Sequence, residues 1–396
     1  MLYLCLLLLD SSPLPRILRL INRLNVGGPT LNVAMLTKHL SPKYETLLVS
    51  GMKDDSEADS EFILHNLGIQ AHYLRDMYRN INPLRDYPAY RELCQLIRRF
   101  RPDIVHTHAA KAGALGRLAA YRCGVPVIVH TFHGHVFHSY FGAAKTQFYL
   151  SVERYLAQRS SRIIAISEGQ KRELSEKYRI CAPEHIEVVR LGFDLSKFYT
   201  DQPAKRTAFR QQYQLDDHEV AIGIVGRLVP IKNHTLFLSA IAQLQTQTPF
   251  RAFIIGDGEL KAPLAQQAEA LGIGNKVVFT SWIKDIDRAY AGLDIVALSS
   301  LNEGTPVSLI EAQAAARPIV ATEVGGVRDI IATAQADFIS PSQALVPFTE
   351  HLQRLVDNEA LRLQLGQLNR AHIDQQYSYT RLVADMERLY EQLLDR

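Results

Sequence analysis

Cysteine is scarce in this chain: four residues in 396 (Cys5, Cys94, Cys123, Cys181), with no CxxC pair among them. That excludes a disulfide framework and a cysteine zinc site, and points to a reducing cytoplasm. Long apolar runs are also few. Residues 1–9 would span roughly 14 Å as a helix, about half a bilayer. They lack the basic stretch and small-residue cleavage site of a signal peptide. Residues 1–14 therefore read as an N-terminal extension, with a weak interfacial anchor as the alternative. The chain has no GxGxxG, which removes a nicotinamide oxidoreductase, and no HExxH or comparable ligand spacing. No metal and no cofactor are expected. A composition of 47% hydrophobic and 21% charged residues, with mean hydropathy −0.07, leaves no place for a large disordered tail or a polytopic membrane protein.

The length fits two domains better than one. The net charge of +3 conceals an asymmetry: residues 1–200 hold 26 Lys and Arg against 18 Asp and Glu, and the remainder 18 against 23. A basic half followed by an acidic half suggests two domains with different partners, or two solvated surfaces that differ by chance.

Runs of β-branched residues alternate with helical periodicity. Strands are predicted at 17–21, 44–49, 103–107, 125–131, 162–166 and 186–190, with helices at 29–40, 87–100 and 112–122. A polar stretch at 195–217 reads as a linker. A second series follows, with strands at 220–225, 251–255, 276–279, 294–298, 318–321 and 336–339. Helices near 345–357, 359–375 and 379–395 end the chain. Strands separated by helices of this length form parallel sheets with crossovers, so two doubly wound α/β domains are expected. The boundaries read as 1–14 (extension), 15–197, 198–375 and 376–396. Ligands of such sheets sit beyond the carboxyl ends of strands, and two such domains would face a central cleft.

The sharpest motif runs from Ser299 to Ala312 (SSLNEGTPVSLIEA). A strand enters a loop, Thr305 is the natural N-cap, and Pro306 suits the first helical position. The N–H groups of Val307, Ser308 and Leu309 would then point into the loop and suit a phosphate. Glu303 before the helix and Glu311 on it would repel phosphate but accept hydrogen bonds from sugar hydroxyls. A capped helix with a buried glutamate is the plainer alternative. In Gly226-Arg227-Leu228-Val229-Pro230-Ile231-Lys232, two cations five residues apart follow a strand. They form a diphosphate clamp or a solvated surface. Gly27 and Gly28 open the first helix, where small residues let backbone approach a ligand. His106, His108, His130, His133, His135 and His138 follow strands of the first domain, and imidazoles there suit sugar hydroxyls better than zinc. Gly256-Asp257-Gly258 and Ser281-Trp282-Ile283 occupy further strand ends. The one tryptophan, Trp282, is a stacking platform or simple packing.

Glu303-x₇-Glu311, Gly226-Arg227…Lys232, Gly256-Asp257-Gly258, His133-Gly134 and Gly27-Gly28 stand in an order and spacing that resembles the family 4 (group 1) retaining glycosyltransferases with the GT-B fold. The likeness covers about residues 16–395. Val105-His106-Thr107-His108 with Lys111-Ala112-Gly113 resembles the branch that builds bacterial surface polysaccharides and lipid-linked glycans.

The resemblance implies that Arg227 and Lys232 grip a donor diphosphate, aided by amides near Ser308 and Leu309. Glu311 would bind ribose, and Thr305, Gly226, Asp257 and Ile283 would line the nucleotide. Glu303 and His133 would flank the transferred sugar, with Gly27 and Gly28 approaching the diphosphate or acceptor. It further implies metal-independent transfer of a hexose-type sugar with retention, and a last helix that packs back on the first domain. A UDP-sugar is favoured as donor, and a GDP-sugar shares every motif. Arg190-Leu191-Gly192-Phe193-Asp194 departs from the Asn-Gly-Val-Asp type string of many relatives, which affects the hinge rather than the donor site. A UDP-sugar epimerase of the same fold and a catalytically silent binding subunit are the alternatives.

On the acceptor side, Arg75, Arg79, Arg85, Arg91, Arg98, Arg99 and Arg101 are interleaved with Tyr73, Tyr78, Tyr87 and Tyr90. This face suits an anionic membrane surface or a lipid diphosphate, and equally a solvated helix. Nucleic acid is not expected as a partner. The resemblance implies a glycan or lipid-diphosphate acceptor, and the expected location is cytoplasmic, either free or peripheral on the inner face of the membrane.

Overall fold

The computed structural model describes residues 14–25, 27–41, 43–53, 60–78, 80–134 and 143–395. All of the expected N-terminal extension except Leu14, and the expected ligands His135 and His138, lie outside the described residues. Two compact units are present: Met1–Gly192 with Leu382–Arg396, and Phe193–Arg381.

The first unit contains β1 (Arg16–Ile21), α1 (Gly28–His39), β2 (Glu45–Gly51), α2 (Glu61–Leu67), β3 (Ala71–Leu74), α3 (Pro83–Phe100), β4 (Ile104–His108), α4 (Ala110–Arg122), β5 (Val127–Phe132), α5 (Ala143–Ala157), β6 (Arg162–Ala165), α6 (Glu168–Arg172) and β7 (Ile186–Val188). All sheet pairs are parallel, in the order β3-β2-β1-β4-β5-β6-β7. Both faces are covered, so β1, β4 and β5 are buried along most or all of their length. Helix α3 begins earlier than its pattern suggests. Asn82 accepts the Leu84 N–H at 3.0 Å and Pro83 occupies the first turn, where its missing N–H costs nothing.

The second unit contains α7 (Gln202–Gln212), β8 (Val220–Val225), α8 (His234–Gln243), β9 (Phe250–Ile255), α9 (Lys261–Ala270), β10 (Val277–Ser281), α10 (Ile286–Gly292), β11 (Ile295–Leu298), α11 (Val307–Ala314), β12 (Ile319–Thr322), α12 (Val327–Ile330), β13 (Ile339–Ser340), α13 (Leu345–Val356), α14 (Glu359–Tyr377) and the start of α15 (Tyr379–Leu394). Its six parallel strands run β10-β9-β8-β11-β12-β13, the doubly wound order.

Two expectations are corrected here. The stretch read as a linker holds a helix, α7, because Pro203 starts it and Phe209 plugs fully into the core. The strand expected at 336–339 is mostly a 3₁₀ turn, Thr333–Phe338, ahead of the two-residue β13.

Helix α15 returns to the first unit. Its Tyr390 is fully buried, edge-on to Tyr44 at 5.8 Å, and its Glu387 pairs with Lys43. The buried Arg19 on β1 donates to the Tyr390 hydroxyl at 3.2 Å and to Thr37 at 3.3 Å.

Candidate functional site

In a doubly wound sheet the crevice opens where strand order reverses. In the second unit that point lies between β8 and β11, whose registers pair Ile224 with Ala297. The loops after these two strands are the ones that carry Arg227, Lys232 and Glu303. Lys232 lies in a 3₁₀ turn, Pro230–Lys232, and its Nζ donates to Glu303 Oε1 at 2.5 Å. The Ser300 hydroxyl donates to the same oxygen at 2.6 Å, leaving Oε2 without a described partner. Ser299 fastens the two loops by donating to the Lys232 and Asn233 carbonyls at 3.1 and 2.9 Å. Arg227 is exposed and has no acidic partner among the described residues.

The neighbouring strand end is stitched to these by backbone. Gly226 N–H donates to Ile255, Leu228 N–H to the Asp257 carbonyl, and Gly256 N–H to Ser281. Gly256 has φ 149°, and a Cβ there would overlap the Gly226 carbonyl. The Asp257 carboxyl is held below its usual range, first by the Gly258 N–H at 2.9 Å, with Ser281 and Lys261 nearby. Ile283 is half-buried beyond β10, next to the exposed Trp282. Gly325, with φ 51°, packs against the Glu303 carbonyl, and Gly326 N–H donates to Gly304 at 3.0 Å.

The start of α11 differs from expectation. Pro306, not Thr305, is the capping residue: with φ −73° and ψ 95° it stays extended, and Val307 is the first helical residue. The Leu309 N–H turns back to the Pro306 carbonyl at 3.1 Å, so Leu309 does not offer a free amide. Among the described residues the Val307 and Ser308 N–H groups have no acceptor, and no side chain caps the helix. Glu311 lies one turn further on. Burial pushes its carboxyl up to about 7, opposed by Lys197 and by the neighbouring Tyr290 hydroxyl, which donates to the Ser308 carbonyl at 3.0 Å. Ser300, Tyr290, Lys197 and Gly325 complete this region without having been singled out in the sequence. A Gly-Gly pair after a strand was the available signal for Gly325.

In the first unit the order reverses between β1 and β4, where Ile21 pairs with His108. Gly27 caps α1 with φ 166°, an extended conformation open to any residue. A Cβ on Gly27 or Gly28 would meet only ordinary contacts, at 3.8 Å from Pro29 and 3.6 Å from Leu191.

The histidines are placed differently from the expectation that all follow strands. His106, His108 and His130 lie within β4 and β5 and are fully buried. His106 is hydrogen-bonded on both nitrogens, to the Tyr390 hydroxyl at 2.6 Å and to Thr131 at 2.7 Å. His130 bonds Thr107 at 2.9 Å. His133 alone of the four stands beyond its strand, with Nε2 2.9 Å from His108 Nδ1. Burial drives all four imidazoles toward the neutral form, His133 down to about 4.

Comparison with known proteins fits this architecture. The family model "Glycosyltransferase Family 4" matches residues 26–197, and "Glycosyl transferases group 1" matches residues 205–372. The UDP-Gal:alpha-D-GlcNAc-diphosphoundecaprenol alpha-1,3-galactosyltransferase of Escherichia coli is 30% identical over 301 residues, 74% of this chain and 77% of that one. A D-inositol 3-phosphate glycosyltransferase of Gordonia bronchialis is 31% identical over 293 residues, 69% of this chain and 62% of that one. In fold, Anabaena HepE in complex with UDP superposes with TM-score 0.80 at 20% identity, over 95% of this chain and all of the other. A glycosyltransferase from Rickettsia africae gives 0.81 at 18% identity, over 97% and 99%. Two parallel α/β units of doubly wound order, matched by both family models and by relatives of this extent, establish that the chain belongs to the family 4 (group 1) glycosyltransferases of GT-B fold.

Proposed function

We propose that this glycosyltransferase transfers a hexose-type sugar, with retention, from a UDP-sugar to a lipid-linked or glycan acceptor in surface-polysaccharide assembly. The observation that carries the donor site is the Lys232–Glu303 pair at the strand-order reversal, beside the unpartnered Arg227 and the open amides of Val307 and Ser308. Breaking a sugar–diphosphate bond builds negative charge on the departing oxygen. Arg227, Lys232 and the two amides supply fixed positive charge for it, and mutational losses for such groups run to about 10²–10³ in rate. These cations support a reaction that needs no metal for this step.

Glu303, with Oε2 free of described partners, faces the sugar hydroxyls and the cationic character that develops at the anomeric carbon. The acceptor hydroxyl forms its bond to that carbon as the carbon–diphosphate bond breaks, and its proton passes to the departing phosphate oxygen. Glu311 binds the ribose hydroxyls, which favour its ionised form. Asp257, Ile283, Gly226 and Thr305 line the nucleotide, His133 serves the sugar, and Gly27 with Gly28 admits the acceptor or diphosphate. The Escherichia coli relative is named for UDP-Gal and a diphosphoundecaprenol acceptor, and HepE was solved with UDP. Both support the choice of UDP and of a lipid-linked acceptor.

An anionic membrane surface on the cytoplasmic side is the proposed partner of α3. Ile81, Leu84 and Tyr87 are exposed there with Arg85, Arg91, Arg98 and Arg99, while Asp86 is turned inward onto Lys111 at 2.5 Å. Glu92, the other carboxylate of the helix, is half-buried and paired with His72 at 3.0 Å. Apolar side chains among arginines whose carboxylate neighbours are paired suit an anionic interface. No helix among the described residues is long and apolar enough to cross a membrane.

The test is a thermal-shift scan of UDP, GDP, ADP and their sugars, with Mg²⁺ and with chelator, followed by turnover of whichever binds. At 100 times Kd the expected stabilisation is about 2.7 kcal/mol. UDP binding in chelator with transfer of the sugar supports the reading. Binding with no chemistry favours a silent subunit, a new UDP-sugar isomer favours an epimerase, and no binding at all overturns the donor site.

A further inference from the structure

We propose that His108 is a positioning residue that fixes the tautomer of His133, so that His133 presents Nδ1–H as a donor to a ligand oxygen. This rests on the reading that His133 serves the substrate, and it specifies the atom and the direction of the hydrogen bond.

His108 ends β4 and His133 follows β5, and the two strands are paired in register at His108 and Thr131. The rings lie 5.2 Å apart and 25° from parallel, with His108 Nδ1 facing His133 Nε2 at 2.9 Å. At that distance one of the facing nitrogens carries a hydrogen and the other a lone pair. Burial keeps both rings neutral, so each has one proton to place.

Two arrangements satisfy this. If His133 Nε2–H donates, the proton of His108 must sit on its Nε2. That atom is buried and has no hydrogen-bond partner among the described residues, on a residue with no exposed surface. If His108 Nδ1–H donates, its Nε2 is a bare acceptor and the proton of His133 sits on Nδ1. That nitrogen is also buried and without a partner among the described residues, but it belongs to a half-buried residue beyond the strand end. Stranded N–H groups are rarer inside proteins than under-used acceptors. The second arrangement puts the unpaired donor on the residue a ligand can reach. The His108 ring is held in place. Its ring packs at 4.1 Å on His106, which is itself held on both nitrogens by Tyr390 and Thr131.

The partner of an imidazole N–H is an oxygen acceptor, that is, a hydroxyl, carbonyl or phosphate oxygen. A cation is excluded from that position.

The decisive experiment is long-range ¹H–¹⁵N correlation on protein labelled at histidine nitrogens, with His133 identified by its loss in His133→Gln. The wild-type protein should show His133 protonated on Nδ1 and bare on Nε2. His108→Leu should release it to the Nε2–H form that free imidazole side chains prefer. His108→Asn, which keeps an N–H near the place of Nδ1, should restore the wild-type pattern. A wild-type His133 protonated on Nε2 overturns the proposal without recourse to any variant.

As the functional readout, UDP release from UDP-galactose should fall at least tenfold in kcat in His108→Leu, with UDP affinity unchanged, and recover in His108→Asn. Loss of both kcat and UDP affinity would make His108 merely structural and overturn its positioning role. If the wild-type protein turns over no nucleotide sugar, the glycosyl-transfer reading fails while the tautomer measurement still decides this proposal.

Discussion

The same sheet order produces two chemically opposite strand-end regions. In the second unit the loops after β8 and β11 bring together charges: Lys232 on Glu303, a solvent-facing Arg227, and two open helix amides. In the first unit β4 and β5 bring together neutral imidazoles, fully buried at three of four positions and hydrogen-bonded to Tyr390, Thr131 and Thr107 or, for His108 and His133, to each other. Topology decides where a site forms, and side-chain chemistry decides what it holds. Fixed charge suits an anionic diphosphate, whereas a dry, neutral array suits uncharged oxygens and resists protonation.

The largest expected effect lies on the charged side. Glu303→Gln and Lys232→Ala should each lower sugar transfer by about 10²–10³-fold. Because the two side chains are paired, the double variant should lose much less than the product of the single losses, which a double-mutant cycle would measure. Additive losses would mean that the pair does not work as one unit. Gly325→Ala comes next. Its Cβ would overlap the Glu303 carbonyl at φ 51°, so the loop must move. Strain of about 1–3 kcal/mol is expected, with turnover falling more than stability does.

Two buried tyrosines sharpen the contrast. Tyr390→Phe deprives both His106 and Arg19 of a partner inside the first unit, and should cost about 1–3 kcal/mol in chemical denaturation. Tyr290→Phe loses the bond to the Ser308 carbonyl and the hydroxyl beside Glu311, and should cost less, about 1 kcal/mol.

The smallest effect is a pH dependence that differs between the two regions. Burial lowers the pKa of all four histidines of the first unit, that of His133 to about 4, so below 6.5 the unfolded chain binds protons that they refuse. Stability therefore falls as pH drops through that window. The second unit holds two such groups, His234, pushed down to about 4 by burial and then by Lys232, and His351, lowered by burial and then by Arg354. Amide exchange in β4 and β5 should accelerate more than in β8 and β11 when pH is lowered from 7.5 to 5. Glu311 acts the other way. Raised from 4.5 to about 7, it keeps in the folded state a proton that the unfolded chain releases, so its contribution is lost as pH rises through that range. Glu311→Gln should flatten this part of the stability profile.

Much of this was legible in the sequence. Strand and helix alternation gave the two sheets because both-face burial leaves continuous β-branched runs, as in Val220–Val225. The Ser299–Ala312 string located the loop of Glu303, since proline and glycine punctuate such turns. Finer features were not legible. That Pro306 rather than Thr305 caps α11 depends on a ψ angle, and that Lys232 meets Glu303 depends on which two loops share the reversal of strand order. His106 and His130 read as site residues, but both fall inside the expected strands 103–107 and 125–131, and a sheet covered on both faces buries them. Helix α7 escaped notice because a single apolar anchor, Phe209, holds an otherwise polar segment.

The strand-end loops of the second unit are proposed to hold a nucleoside diphosphate by fixed cations. Calorimetric titration of UDP into the wild-type, Lys232→Ala and Arg227→Ala proteins, all in chelator, decides this. Binding to the wild-type protein and at least a tenfold loss of affinity in each variant are expected. Equal affinity in all three, or wild-type binding that appears only when Mg²⁺ is supplied, would contradict it.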